Sequence, residues 1–204
     1  MFRAVRFLTM VEGIATQQMT AGDPAGGMEE SFLRPDHIVD SFGLKPGDMA
    51  ADFGCGAGFF VIPLARAVGS GGRVFAIDIQ KEALSALRTR AATAHLLNID
   101  YVWADLELPA GSHLKDQSVA LVLIANILFQ ASDKEQVIRE GGRVLRPGGK
   151  LAILEWDDRM SGPPMNMRVT KAHATELAER CGFSLVEEFD GGSHHYGLLF
   201  NKHS

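Results

Sequence analysis

Short β-type runs alternate with helical segments along most of this chain of 204 residues. Runs of apolar, β-branched or aromatic residues predict strands at Met49–Phe53, Arg73–Ile77, Asp100–Trp103, Val119–Ile124, Lys150–Glu155, Phe183–Phe189 and Tyr196–Lys202. Helical patterns occur before and between these strands. They predict one helix that begins at Pro35 and four more at Phe59–Val68, Lys81–Ala94, Lys134–Leu145 and Ala172–Cys181. This alternation predicts βαβ units, a parallel sheet and helices on both of its faces.

The last two predicted strands have no helix between them, only Asp190–His195. They should therefore run antiparallel. We expect a doubly wound α/β fold with three αβα layers and a mostly parallel seven-stranded sheet whose last strand is antiparallel. Ligands of such sheets bind beyond the carboxyl ends of the strands, where the winding direction reverses.

The beginning of the chain differs from the rest. Its apolar residues are interrupted by Glu12 and followed by the turn-forming segment Thr20–Gly27. The apolar run is too short to span a bilayer, and no small-x-small cleavage site follows it. We expect a partly disordered N-terminal arm and linker over residues 1–27 and one domain over residues 28–204. The alternative is that the natural chain starts at Met28.

Charge and cysteine content narrow the classes of function. The net charge is −5 and no basic block is present, which argues against nucleic acid as a partner. Cys55 and Cys181 are too far apart for a disulfide framework or a zinc pattern, and free thiols fit a reducing cytoplasm. We expect a cytoplasmic protein with no bound metal and no membrane span.

A glycine-rich segment lies between the first predicted strand and the following helix. It reads Asp52-Phe53-Gly54-Cys55-Gly56-Ala57-Gly58, with glycine at alternate positions. Glycine lets the backbone turn tightly and approach a ligand without obstruction by a Cβ atom. Because the start of the helix also offers unpaired N–H groups, this context predicts a ligand site.

Two familiar ligand classes fit this segment poorly. A dinucleotide fingerprint needs glycine at the sixth place of G-x-G-x-x-G, which here is Phe59. A P-loop needs G-x-x-x-x-G-K-S/T, and the sequence contains no such run. A nicotinamide-dependent oxidoreductase nevertheless stays open as an alternative.

Acidic residues stand at the ends of the next two predicted strands. Asp78 lies 20 residues beyond Gly58, where a carboxylate can accept hydrogen bonds from both hydroxyls of a ribose. Asp105, within Trp103-Ala104-Asp105-Leu106, can accept from an adenine amino group. These positions indicate a nucleoside but do not separate NAD from S-adenosylmethionine.

With these motifs, the chain resembles the class I S-adenosylmethionine-dependent methyltransferases. It is most similar to the small-molecule group that includes the ubiquinone/menaquinone-biosynthesis methyltransferases, from about Phe32 to Lys202. Four segments match that family's glycine loop, ribose-binding acid, adenine-side segment and turn before the fifth strand: Ala51–Gly58, Asp78, Ala104–Leu106 and Leu145–Leu151.

The resemblance implies S-adenosyl-L-methionine as cofactor, S-adenosyl-L-homocysteine as product and a small-molecule methyl acceptor. The methionine part would touch Gly54–Gly58, the ribose Asp78 and the adenine Asp105, while Ala125–Phe129 would line the methyl-donor side. The implied cofactor-binding residues are Asp52, Gly54, Cys55, Gly56, Gly58, Asp78, Ile79, Ala104, Asp105, Leu106 and Asn126.

The reaction implied is an in-line displacement, which needs a general base only if the acceptor must lose a proton. Candidates lie near strand ends or in flanking loops: His37, Glu155, His194 and His195. The pair His194-His195 is the most suggestive, since histidine titrates near neutral pH. Its alternative interpretation is a solvated loop before the last strand. Trp103 and Trp156 are expected to be packing residues.

The sequence argues against several classes of methyl acceptor. Asn126-Ile127-Leu128-Phe129 lacks the prolines common to enzymes that methylate amino groups of nucleic acids, and two distant cysteines are too few for arsenite. No carboxylate cluster for a divalent cation is evident. A small organic or lipid-like acceptor is expected, and a non-catalytic S-adenosylmethionine-binding protein is the second alternative.

Overall fold

A computed structural model describes residues 33–157 and 163–203 of the chain. The strands are β1 Met49–Phe53, β2 Arg73–Asp78, β3 Ile99–Trp103, β4 Val119–Ala125, β5 Leu145–Trp156, β6 Phe183–Asp190 and β7 His195–Lys202. The α-helices are α1 Pro35–Ser41, α2 Val61–Val68, α3 Lys81–Thr93, α4 Lys134–Val144 and α5 Lys171–Arg180. A short 3₁₀ turn covers Met165–Met167. The arm and linker predicted over residues 1–27 lie outside the described residues.

The strands form one seven-stranded sheet in the order β3-β2-β1-β4-β5-β7-β6. β1 pairs in parallel with β2 and β4, β2 with β3, and β4 with β5. β7 lies antiparallel to both β5 and β6. The predicted fold class is therefore confirmed. Because the winding direction reverses between β1 and β4, a crevice is expected beyond their carboxyl ends.

Alternate residues of the strands supply the two apolar layers. On β4, Val122 and Ile124 pack with α4 and α5 on one face, whereas Leu121 and Leu123 pack with α1, α2 and α3 on the other. A strand that is covered on both faces reads as a continuous apolar run. This explains why β4 was predicted so clearly from sequence.

Local signals set the helix ends. The side chain of Asp133 accepts a hydrogen bond from the Gln136 N–H at the start of α4, and Thr170 does the same for His173 at α5. Gly182 follows α5 with a φ of 86°, a left-handed conformation that favours glycine at a helix end.

Two predicted boundaries were displaced by the backbone between elements. The helix predicted from Phe59 begins at Val61, because the left-handed Gly58 leads into a turn rather than directly into α2. The strand predicted from Lys150 begins at Leu145, which pairs with Val119 before the register shifts to Leu121 and Lys150. The Pro-Gly-Gly turn before the fifth strand is thus an irregularity inside β5.

No helix among the described residues has the length and apolar character needed to cross a bilayer.

A buried ionic network ties the segment after β3 to α4. Glu140 is almost fully buried and accepts hydrogen bonds from the Ser112 N–H at 2.9 Å and from Arg143 Nη2 at 2.7 Å. Arg143 also donates to the carbonyl of Leu114 at 2.9 Å. Burial acts to raise the pKa of Glu140, but the hydrogen bonds from Arg143 and Ser112 outweigh it and lower the pKa.

We expect Glu140→Gln to lower the free energy of unfolding by about 2 kcal/mol at neutral pH, the usual size for hydrogen bonds to a charged group. Urea denaturation measures this loss. Glu135→Gln is the control, since Glu135 pairs with Arg139 and Arg180 at the surface of the protein. Its loss should stay below about 1 kcal/mol.

The effect of Glu140→Gln should depend on pH. The carboxyl of Glu140 has a lower pKa folded than unfolded, so its contribution is complete above the unfolded pKa, near 4.3, and is lost as pH falls through the folded pKa. The difference between wild type and variant should therefore shrink from pH 7 to pH 3. A constant difference would contradict this account of the network.

Candidate functional site

The glycine loop after β1 is anchored to β2. The N–H groups of Gly54 and Cys55 both donate to the carbonyl of Ile77, at 2.8 and 3.0 Å. The loop then closes on itself through the Gly58 N–H and the Cys55 carbonyl, at 2.9 Å. A side chain missed by sequence reasoning also supports it, since Arg90 of α3 donates to the Ala57 carbonyl at 2.8 Å.

The three glycines of the loop serve different purposes. All are left-handed, with φ of 72° at Gly54, 51° at Gly56 and 86° at Gly58. A Cβ atom at Gly54 would overlap with the side chain of Ile127, and one at Gly58 would overlap with Leu87. A Cβ atom at Gly56 would meet nothing within 4 Å. Gly54 and Gly58 therefore permit close packing, and Gly56 presents the open face of the loop.

Asp78 connects the tip of β2 to this loop. Its Oδ2 accepts from the Gly56 N–H and its Oδ1 from the Gln80 N–H, both at 2.8 Å. The residue is only 6% exposed. Burial raises its pKa, and the hydrogen bonds from Gln80, Gly56 and Ile79 partly oppose that rise. The sequence predicted Asp78 as a site residue, and the structure brings it directly against the glycine loop.

Asp52 is a second buried carboxyl beneath the loop. Burial, followed by repulsion from Asp78, raises the pKa of Asp52 to about 8. Burial and the same two carboxyls also raise the pKa of the Cys55 thiol, which stays protonated and unreactive. Among the described residues, no basic side chain forms an ion pair with Asp52 or Asp78.

The tip of β3 continues the site beside Asp78. The Ala104 N–H donates to the backbone carbonyl of Asp78 at 3.1 Å, and Ala104 and Leu106 are buried. Asp105 is half-buried, and its Oδ1 accepts from the Glu107 N–H at 3.0 Å. The predicted segment Ala104–Leu106 is therefore adjacent to Asp78, with one carboxylate oxygen of Asp105 already used in a local turn.

Trp103 is not the packing residue that the sequence led us to expect. Its side chain is 53% exposed. The indole Nε1 donates to the Ile79 carbonyl at 2.8 Å, and Lys81 Nζ lies 3.8 Å from the ring centroid. Because β3 ends at an edge of the sheet, its tip lacks a neighbour that would cover the ring. Ile79 and Trp103 form an exposed apolar ledge next to Asp78.

The end of β4 adds Asn126 and Ile127. The Asn126 N–H donates to the Leu154 carbonyl at 2.8 Å, and the residue is left-handed, with a φ of 57°. Its Oδ1 is buried and has no hydrogen-bond partner in the described part of the chain. Buried acceptors are rarely left unpaired. Asn126 is thus a candidate for contact with a ligand, and its neighbour Ile127 is the residue that packs on Gly54.

Two of the candidate general bases, His194 and His195, lie together at the end of β5, where His195 pairs with Trp156. His195 is at the start of β7, with its ring centroid 4.3 Å from that of Trp156 at the end of β5. Burial, followed by the charge of His194, lowers the pKa of His195 to about 4. His194 shares a hydrogen bond with Ser193. His37 is exposed on α1.

Glu155, the remaining candidate base, is fully buried. Its Oε1 accepts from the Leu128 N–H at 2.6 Å. Burial raises its pKa to about 7, against the opposing hydrogen bonds from backbone N–H groups. In the described parts of the chain, no group of three or more His, Cys, Asp or Glu side chains is placed to hold a metal ion.

Residues 44–197, which include the whole glycine loop and the ends of β1 to β5, match a family described as a methyltransferase domain. The chain belongs to this family. The match confirms the resemblance to class I S-adenosylmethionine-dependent methyltransferases.

Individual proteins agree with the family. The ubiquinone/menaquinone biosynthesis C-methyltransferase UbiE of Vibrio vulnificus is 29% identical over 81% of this chain and 62% of its own length. UbiE of Hahella chejuensis is 35% identical over 66% of this chain and 51% of its own. A crystal structure of a SAM-dependent methyltransferase from Aquifex aeolicus superposes with a TM-score of 0.75 at 27% identity, covering 83% of this chain and 89% of that one. The chain spans 40–62% of the length of the curated relatives it matches.

The different purposes of the loop glycines can be tested by stability. We expect Gly58→Ala to lower the free energy of unfolding clearly more than Gly148→Ala, in urea denaturation. Both glycines are left-handed, so each alanine costs about 1–2 kcal/mol in backbone strain. Only the alanine at position 58 also overlaps with Leu87, because Gly148 has open space around it. Equal losses would contradict the packing role assigned to Gly58.

Proposed function

We propose that this chain is an S-adenosylmethionine-dependent methyltransferase that transfers a methyl group to a small organic acceptor by in-line displacement. The observation that carries the proposal is the open face of Gly56, hydrogen-bonded to Asp78 at the point where the winding of the sheet reverses. The membership of the methyltransferase-domain family supports it.

The residues at the loop fit the cofactor. Asp78 Oδ2 accepts from the Gly56 N–H and Oδ1 from the Gln80 N–H, and the Ile79 N–H also acts on the carboxylate. Because a carboxylate offers about four acceptor positions, Asp78 can still accept from the ribose. The methionine part would lie over Gly54–Gly58 and meet the unpaired Oδ1 of Asn126, and Asp52 and Cys55 would support the loop from below.

The adenine would lie beside the tip of β3. Ile79 and Leu106 offer apolar surface there, with Ala104 next to Asp78 and one free oxygen on Asp105. The exposed indole of Trp103, held in place by Ile79 and Lys81, extends the apolar surface. Aromatic and aliphatic side chains at this position give a surface against which a flat ring can pack.

Local charge favours this cofactor over NAD. Asp52 and Asp78 are neighbouring buried carboxyls that raise the cost of ionising Asp52, and a cationic ligand group would lower that cost. S-adenosylmethionine carries a sulfonium and an ammonium group, whereas the pyrophosphate of NAD would add negative charge. Phe59 also stands where a dinucleotide fingerprint has its third glycine.

When bound, the cofactor supplies a methyl group on a positively charged sulfur, which is already electrophilic. The chain then has to align the acceptor with that methyl group and exclude water. Alignment alone can supply about 7–11 kcal/mol in favourable cases. Asn126, Ile127, the end of β5 and the start of β7 border the side from which an acceptor would enter.

A neutral base is available on that side. The low pKa of His195 keeps its ring uncharged at neutral pH, and its buried Nε2 has no partner among the described residues. It can accept a hydrogen bond from an acceptor hydroxyl or amine, although a pKa near 4 makes it a weak base for full proton removal. We therefore propose that His195 contacts and orients the acceptor. His194 has no part in this contact.

The test compares ligand binding by wild type, Gly56→Ala and Gly148→Ala in isothermal titration calorimetry. We expect wild type to bind S-adenosylhomocysteine and not NAD. An added methyl group at Gly56 would occupy the open face of the loop, so Gly56→Ala should weaken binding at least tenfold.

Gly148→Ala is the matched control, because it carries similar backbone strain away from the loop. It should bind S-adenosylhomocysteine like wild type. Binding of NAD alone, or unchanged affinity in Gly56→Ala, would contradict the proposed site. Methyl transfer to pooled small organic compounds then distinguishes an enzyme from a protein that only binds the cofactor.

A further inference from the structure

A single helical turn follows β4 and lies next to the glycine loop. The N–H groups of Gln130 and Ala131 both donate to the Ile127 carbonyl, at 3.1 and 3.0 Å. The N–H groups at the start of any helical turn have no partner within the turn itself. For this turn, which we call the post-β4 turn (Ile127–Ala131), a side chain from β5 supplies that partner.

Glu155 is the side chain in question. Its Oε1 accepts from the Leu128 N–H at 2.6 Å, and the N–H groups of Phe129 and Ile127 also stabilise its charged form. Glu155 is completely buried, and its Oε2 has no hydrogen-bond partner in the described residues. Burying a carboxyl group costs free energy that an apolar side chain of similar size would avoid. Its presence therefore calls for a purpose other than stability.

The post-β4 turn carries the contacts through which Glu155 can act on the site. Ile127 packs into the space that the missing Cβ atom of Gly54 leaves free. Asn126 immediately precedes the turn in a left-handed conformation, with its Oδ1 buried and unpaired. A shift of the turn would move both the packing on the glycine loop and the amide of Asn126.

We propose that Glu155 is a positioning residue for cofactor binding, which holds the post-β4 turn so that Ile127 stays against Gly54 and Asn126 faces the cofactor. This inference rests on the function proposed above. Glu155 acts through backbone N–H groups and does not touch the cofactor or the acceptor. Holding the turn in advance removes the need to order it when the cofactor binds, which is the general benefit of preorganisation.

The experiment measures the dissociation constant of S-adenosylhomocysteine for wild type, Glu155→Gln, Glu155→Asp and Glu155→Ala. Glutamine keeps an oxygen acceptor at the same reach, so Glu155→Gln should bind within threefold of wild type. Aspartate is one methylene shorter and alanine has no acceptor, so both should bind at least tenfold more weakly. Amide hydrogen exchange at Ile127–Phe129, measured without ligand, should accelerate in the same two variants.

Asn98→Ala controls for a loss of stability alone. Asn98 is also buried and donates to the backbone carbonyls of Ala65 and Gly69, at 2.8 and 2.9 Å. It directly precedes β3, at the amino end of that strand and away from the site. This variant should have a lower melting temperature and unchanged affinity for S-adenosylhomocysteine.

Two results would overturn the role of Glu155 while leaving the proposed function intact. One is unchanged affinity in Glu155→Asp and Glu155→Ala, and the other is an equal loss of affinity in Asn98→Ala. If Glu155→Ala does not fold, the affinity and the amide exchange rates of Glu155→Asp test the proposal instead. Unchanged exchange at Ile127–Phe129 in Glu155→Asp would contradict the proposal that Glu155 positions the turn. Absence of S-adenosylhomocysteine binding by wild type would instead overturn the proposed function, and this inference with it.

Discussion

The hydrogen bond from the Gly56 N–H to the Asp78 carboxylate is the interaction on which the site depends. It joins the loop after β1 to the tip of β2, so two neighbouring strands present their carboxyl ends as one surface. The same carboxylate accepts from the Gln80 N–H and fixes the start of the segment that leads into α3. Asp78 thus has a structural task and retains lone pairs for a ligand.

The position of Asp78 also affects the charge of the neighbouring carboxyl, Asp52. Asp52 is buried beneath the loop and lies close to Asp78. Burial, followed by repulsion from Asp78, raises the pKa of Asp52 to about 8. Proteins rarely keep such an arrangement for stability, because buried carboxyls cost free energy. A cationic ligand gives the arrangement a purpose, and the same reasoning disfavours a pyrophosphate at this position.

The sequence predicts the alternation of strands and helices, and with it the layers, because the signals are local. β4 is covered on both faces and reads as an unbroken apolar run. The glycine loop indicates where β1 ends, and Asp78 indicates where β2 ends. Leu145 was missed as the start of β5 because its pairing with Val119 is set by the sheet, not by propensity. The prediction that Trp103 is a packing residue is wrong, because the exposure of its side chain depends on the edge position of β3, which the sequence does not show.

The contacts that could not be predicted join distant parts of the chain. Arg90 supports Ala57, Glu155 holds the N–H of Leu128, and Glu140 binds Ser112, and no pattern in the sequence relates these partners. Ile127 appeared only as part of a segment lining the methyl-donor side, whereas the structure assigns it to the space above Gly54. Long-range packing therefore decides which glycine is open to a ligand.

The most direct measurement is a crystal structure of the wild-type protein with S-adenosylhomocysteine. The account predicts electron density over Gly56, with both ribose hydroxyls within hydrogen-bonding distance of the Asp78 carboxylate and the adenine beside Ile79 and Leu106. Density for the ligand elsewhere, with the face of Gly56 empty or covered by the protein's own side chains, would contradict it.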